Sequence, residues 1–99
     1  MGERAIIRTK DENGLCLYTH WNGYREDIEA ILEQCKKKGH VSPDKDSRYG
    51  WAALCYEACN MFGVGLGTIG IEQFHPNCDY FLDHGIYVIE GWDIIDRIL

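Results

Sequence analysis

From Arg4 to Lys10 the side chains alternate. Ala5, Ile7 and Thr9 point one way; Arg4, Ile6, Arg8 and Lys10 point the other. Asp11-Glu12-Asn13-Gly14 is a turn, and Asn-Gly between apolar runs is the strongest short hairpin signal. Leu15 to His20 returns as the partner strand. A two-residue or four-residue loop gives one facing: Cys16, Tyr18 and His20 with Ala5 and Ile7, and Leu15, Leu17 and Thr19 with Ile6, Arg8 and Lys10. Trp21-Asn22-Gly23-Tyr24 then forms a corner. A helix follows from about Arg25 to Lys38, with Ile28, Ile31, Leu32 and Cys35 as its apolar stripe. Glu26 and Asp27 in its first turn and Lys36-Lys37-Lys38 in its last suit the helix dipole, and Gly39 suits the position just beyond its end.

After a loop holding Pro43, Asp46 or Ser47 caps a second helix, from about Ser47 to Phe62. Trp51, Leu54, Cys55, Ala58 and Phe62 form its stripe; Tyr49, Ala53 and Tyr56 add a second apolar flank. Gly63, Gly65 and Gly67 make a flexible or tight link. This run follows a helix and lacks the lysine ending of a phosphate loop, so it is not read as one. Thr68 to Phe74, Asp79 to Leu82 and Ile86 to Glu90 read as strands, and the tail from Trp92 to Leu99 leans towards a short strand turned at Glu90-Gly91. The order β-β-α-α-β-β-β predicts an α+β fold: one antiparallel sheet with both helices packed on one face. The whole chain, residues 1–99, makes a single domain of this kind.

Composition fits a chain with a real core, at 45% hydrophobic and 12% aromatic. No apolar run reaches the ~18 residues of a membrane span, and no apolar core follows Met1-Gly2-Glu3-Arg4. The expected setting is the cytoplasm, with no membrane partner. Charge changes the picture more. Residues 1–54 balance nine acids against nine Lys/Arg; residues 55–99 hold seven acids and the single base Arg97, the whole of the net −6. Such a field repels nucleic acid and attracts basic protein surfaces, including a nucleic-acid-binding groove. Glu90, Asp93 and Asp96 are the candidate acids for that contact.

Candidate chemistry is sparse. Cys55 and Cys59 at i, i+4, followed by His75 and Cys78, offer four soft ligands, but not at the spacing of a structural zinc knuckle. On the stripe, Cys55 serves equally as a small hydrophobe. Cys16 and His20 lie about 13 Å apart along one strand, too far to pair. No metal, cofactor or catalytic residue is assigned. The aromatic corner is more distinctive. His20, Trp21 and Asn22 are candidate partner-binding residues, because tryptophan and tyrosine dominate interface hot spots; core walling is the alternative. Trp21 is expected partly exposed, and Tyr24 is expected to pack on Ile28. Leu15 and Leu17, with Ile6, form an apolar patch on the face away from the helices, a site for a homodimer or a partner.

The stretch His20-Trp21-Asn22-Gly23-Tyr24, with Tyr87-Val88-Ile89-Glu90-Gly91-Trp92, resembles a group of small bacterial and phage proteins. These begin with a hairpin and carry a His-Trp-Asp-Gly-Tyr-like turn before their first helix. Asn22 replaces the acid here, and Arg25 stands where proline is common, which leaves the helix start less fixed. The resemblance implies a phage or mobile-element origin. It implies a non-catalytic inhibitor of a host defence protein, anti-CRISPR proteins included, acting in the host cytoplasm. The alternative function class is a Cys/His-dependent metal protein or small enzyme.

Overall fold

A computed structural model describes residues 2–63 and 68–99. The elements are β1 (Ala5–Arg8), β2 (Leu15–Thr19), α1 (Arg25–Lys37), α2 (Ser47–Phe62), β3 (Ile69–Gln73), β4 (Ile86–Glu90) and β5 (Asp93–Ile98). The class is α+β and the order is the expected one. The tail supplies the last strand, and Asp79–Leu82 does not form one. Gly65 and Gly67, read as part of a link, lie outside the described residues.

The strands form one sheet in the order β3-β2-β1-β4-β5. It is mixed, not antiparallel: β1 and β4 run parallel, Ile6 beside Ile86 and Arg8 beside Val88. The two strands that meet in parallel are the apolar ones, and both lie inside the sheet. Burial on both faces is what a parallel pair requires. To bring β4 there, the chain leaves β3 at one edge and crosses the sheet through residues 74–85. Asp79–Leu82 lies in this crossing, over strands whose edges are already paired, so no ladder is open to it.

Both helices cover one face, called the front here. Ile28, Ile31, Leu32 and Cys35 of α1 meet Trp51, Leu54 and Ala58 of α2 and Ala5, Ile7, Leu17, Tyr87 and Ile89 of the sheet. Asp46 caps α2 by accepting from the Tyr49 backbone N–H. Gly50 faces Ser42 and Pro43, and a Cβ there would overlap the Pro43 nitrogen, so only glycine allows this approach. Seating α2 on Gly50 turns Tyr49 and Tyr56 outwards, against the expected second apolar flank. The back of the sheet has its own small core of Ile6, Cys16 and Phe74, with Tyr18, Tyr80, Leu82 and Ile86 packed against it.

The hairpin facing differs from the sequence reading. Ile7 pairs with Leu17 and Arg8 with Cys16. Leu15 and Leu17 therefore share the front face with Ala5 and Ile7, and Leu17 is fully buried beneath the helices. The reason is the loop. Asp11 folds it, its side chain accepting from the Asn13 N–H and its carbonyl from the Gly14 N–H. The added residue makes the loop odd in length, and one residue of register moves every side chain to the other face. The expected patch of Ile6, Leu15 and Leu17 does not form.

Candidate functional site

The corner between β2 and α1 is built mainly by backbone contacts. The Glu3 N–H donates to the His20 carbonyl at 3.0 Å, and the His20 N–H donates to the Thr68 carbonyl at 2.9 Å. The Thr19 hydroxyl donates to the Trp21 carbonyl. Asn22 takes the left-handed conformation at φ 64°, which asparagine tolerates better than most residues. At Gly23 the backbone lies so close to the Glu3 carbonyl that a Cβ would overlap it. The Tyr87 hydroxyl, rising from β4, donates to the Gly23 carbonyl at 2.7 Å. The corner is thus held at His20 and Gly23, by the chain before β1, by β4 and by the segment before β3.

On this frame Trp21 is 47% exposed and Tyr24 45% exposed. The exposure expected of Trp21 is observed. The Tyr24 ring lies 4.4 Å from the His84 ring, and its hydroxyl approaches the Glu3 carboxylate. Tyr24 is the N-cap residue of α1, in extended backbone, and makes no side-chain cap bond. The His20 ring stands edge-on to Trp21 at 4.8 Å, and its Nδ1 shares a 3.0 Å hydrogen bond with the Tyr18 hydroxyl.

Two polar pairs tie the turn before β4 to the chain before β1. His84 Nε2 lies 2.5 Å from Glu3 Oε1. Asp83 accepts from Arg4 twice, from Nε at 2.9 Å and from the backbone N–H at 3.0 Å. The Arg4 guanidinium and then that N–H hold the Asp83 carboxyl down at about 2. The hydrogen bond from His84 and then that from Tyr24 lower Glu3, and the carboxylate of Glu3 in turn raises the Tyr24 phenol. An open pocket of about 390 Å³ lies between these groups, lined by Gly2, Glu3, Trp21, Asp83 and His84. With Nε2 taken by Glu3 and the ring held against Tyr24, His84 is a strut of the corner. The site presents aromatic surface beside fixed polar groups, an arrangement suited to recognition.

Of the expected site residues, His20, Trp21 and Asn22 come together here. Glu90 pairs instead with Lys10 at 3.2 Å and Asp93 with Lys36 at 2.8 Å, while Asp96 forms no ion pair among the described residues. Cys55 and Cys59 lie on α2, whereas His75 and Cys78 lie in the turn after β3. Among the described residues no group of three or more His, Cys, Asp or Glu side chains is placed to hold a metal ion. Burial raises the Cys16 and Cys35 thiols to about 12.

Sequence reasoning missed Glu3, Arg4, Asp83 and His84. Their pairing spans 79 or more residues and leaves no local pattern. It also missed Glu57, 1% exposed on the inner side of α2, bonded to Lys38 at 3.0 Å and His40 at 3.0 Å. A signal existed: Glu57 stands three residues after Leu54 and just before Ala58, on the buried stripe.

Compared with protein-family models, curated proteins and solved structures, the chain gives no significant match.

Proposed function

We propose that the chain is a non-catalytic interaction module that binds another protein through the corner at residues 20–24. The observation that carries this is Trp21: a large ring, half exposed, on a backbone held by contacts from three other parts of the fold. A tryptophan held in place before binding loses little conformational freedom on association, and such anchors supply most of an interface's energy. The alternative, a cysteine enzyme, draws no support from Cys16 or Cys35, whose thiols stay neutral and buried at pH 7. The narrower reading, a phage or mobile-element inhibitor of a host defence protein, rests on the resemblance of His20–Tyr24 and the stretch ending at Trp92.

Site-specific photo-crosslinking tests the proposal. A photoreactive phenylalanine analogue in place of Trp21 is expected to give a discrete protein adduct in cells that make the chain. Excess wild-type chain should compete the adduct away, and the Trp21→Ala chain should not. Equal competition by both chains would reject the corner as the binding surface.

A further inference from the structure

The sequence places its whole charge surplus in residues 55–99, but the fold redistributes it. Of the seven acids there, four are paired with groups from residues 1–54: Glu57 with Lys38 and His40, Asp83 with Arg4, Glu90 with Lys10 and Asp93 with Lys36. The other three, Glu72, Asp79 and Asp96, form no ion pair among the described residues. All three lie on the back of the sheet. Glu72 is paired across from Cys16, Asp96 is paired across from Val88, two residues along from back-facing Ile86, and Asp79 lines the back-face pocket. The cation on this face of β1 is not available to them. Arg8 is 5% exposed, stacked 4.9 Å from the Phe74 ring centre and shared with the Thr9 carbonyl and Glu12.

The segment that crosses this face carries the most exposed aromatic side chain among the described residues. Phe81 is 82% exposed. Its sequence neighbours Tyr80 and Leu82 line a back-face pocket of about 290 Å³, together with Asp79, Ile86 and Ile98. Ile98 is itself 42% exposed. An open apolar pocket, with an uncovered phenylalanine in sequence between its lining residues Tyr80 and Leu82, marks an interaction surface. Asp79 in its lining, and Asp96 two residues from Ile98 on the same strand face, state the partner's sign. A second copy of this chain would set these carboxylates against their like, and like charges across an interface are strongly disfavoured.

We propose that this back-face pocket docks a basic protein segment. An apolar side chain of that segment enters the pocket, and flanking lysines or arginines meet Asp79 and Asp96. The surface is separate from the aromatic corner and stands or falls independently of it.

A titration of the isotope-labelled full chain with an alternating lysine–leucine peptide, followed by NMR, tests this. The expected shifts concentrate at residues 78–86 and 96–98. Asp79→Asn with Asp96→Asn weakens binding about fivefold, the scale of two exposed ion pairs. Glu26→Gln with Asp27→Asn, equal in charge removed but on α1, leaves affinity unchanged. Phe81→Ala, at a position too exposed to threaten folding, also weakens binding. Equal losses from both acid pairs would show attraction to net charge alone and overturn the proposal. Shifts centred on residues 20–24 would also overturn it. So would sedimentation showing a wild-type dimer that Phe81→Ala converts to monomer, since the occupant would then be a second copy.

Discussion

Trp21 and Tyr24 are three residues apart and about equally exposed, yet their surroundings give them different work. Trp21 touches the edge of His20 and lines an open pocket. Tyr24 joins α1 to Glu3 and His84 and so holds two distant segments together. Trp21→Ala should cost well below the ~3–5 kcal/mol of a buried aromatic truncation. Tyr24→Ala should lower the melting temperature more, as thermal denaturation of the two variants would show. Asp83 makes a prediction in pH. Its folded value of about 2 lies below the ordinary 3.8. Its pair with Arg4 therefore stabilises fully above pH 3.8 and is lost as pH falls from there towards 2. Asp83→Asn should flatten the fall of melting temperature across that window. An unchanged slope would mean that the pair contributes nothing to folding. Glu57, lowered by Lys38 and then His40, adds a loss of the same sign below its ordinary 4.5. The thiols are the simplest check. Iodoacetamide should modify exposed Cys78 first and reach Cys16 and Cys35 only on unfolding, as peptide mapping would read.

At the scale of elements, α1 was fully legible, because stripe, charges and terminal glycine agree. All four predicted positions, Ile28, Ile31, Leu32 and Cys35, are buried, and Gly39 takes the left-handed conformation at φ 72°. The hairpin was legible as two strands but not in its facing. Parity depends on a single loop residue, and Asn13-Gly14 suggested an even loop where Asp11 builds an odd one. This matters for mutagenesis. On an outward patch Leu17→Ala would be nearly silent. Beneath the helices it should cost about 2–5 kcal/mol in chemical denaturation. The crossing segment was misread for a related reason: Asp79–Leu82 has the apolar content of a strand, but its neighbours in space decide whether a ladder exists. Nothing local in the chain records that β4 settles beside β1.

For the whole molecule, the separation of charge along the chain is not a separation in space. Long-range pairs return the acids of one half to the bases of the other, and three back-face carboxylates remain. The corner follows the same logic. Its aromatic residues were visible as a dense run, but the groups that fix them, Glu3, Tyr87 and the turn at Asp83-His84, come from remote parts of the sequence. We propose that this fixed corner is a binding surface. Calorimetric titration of the partner captured at position 21 decides this, comparing the wild-type and Trp21→Ala chains at a temperature where both are folded. Trp21→Ala should bind at least about thirtyfold more weakly, as expected for a hot-spot tryptophan, with little change in melting temperature. Equal affinities would contradict it.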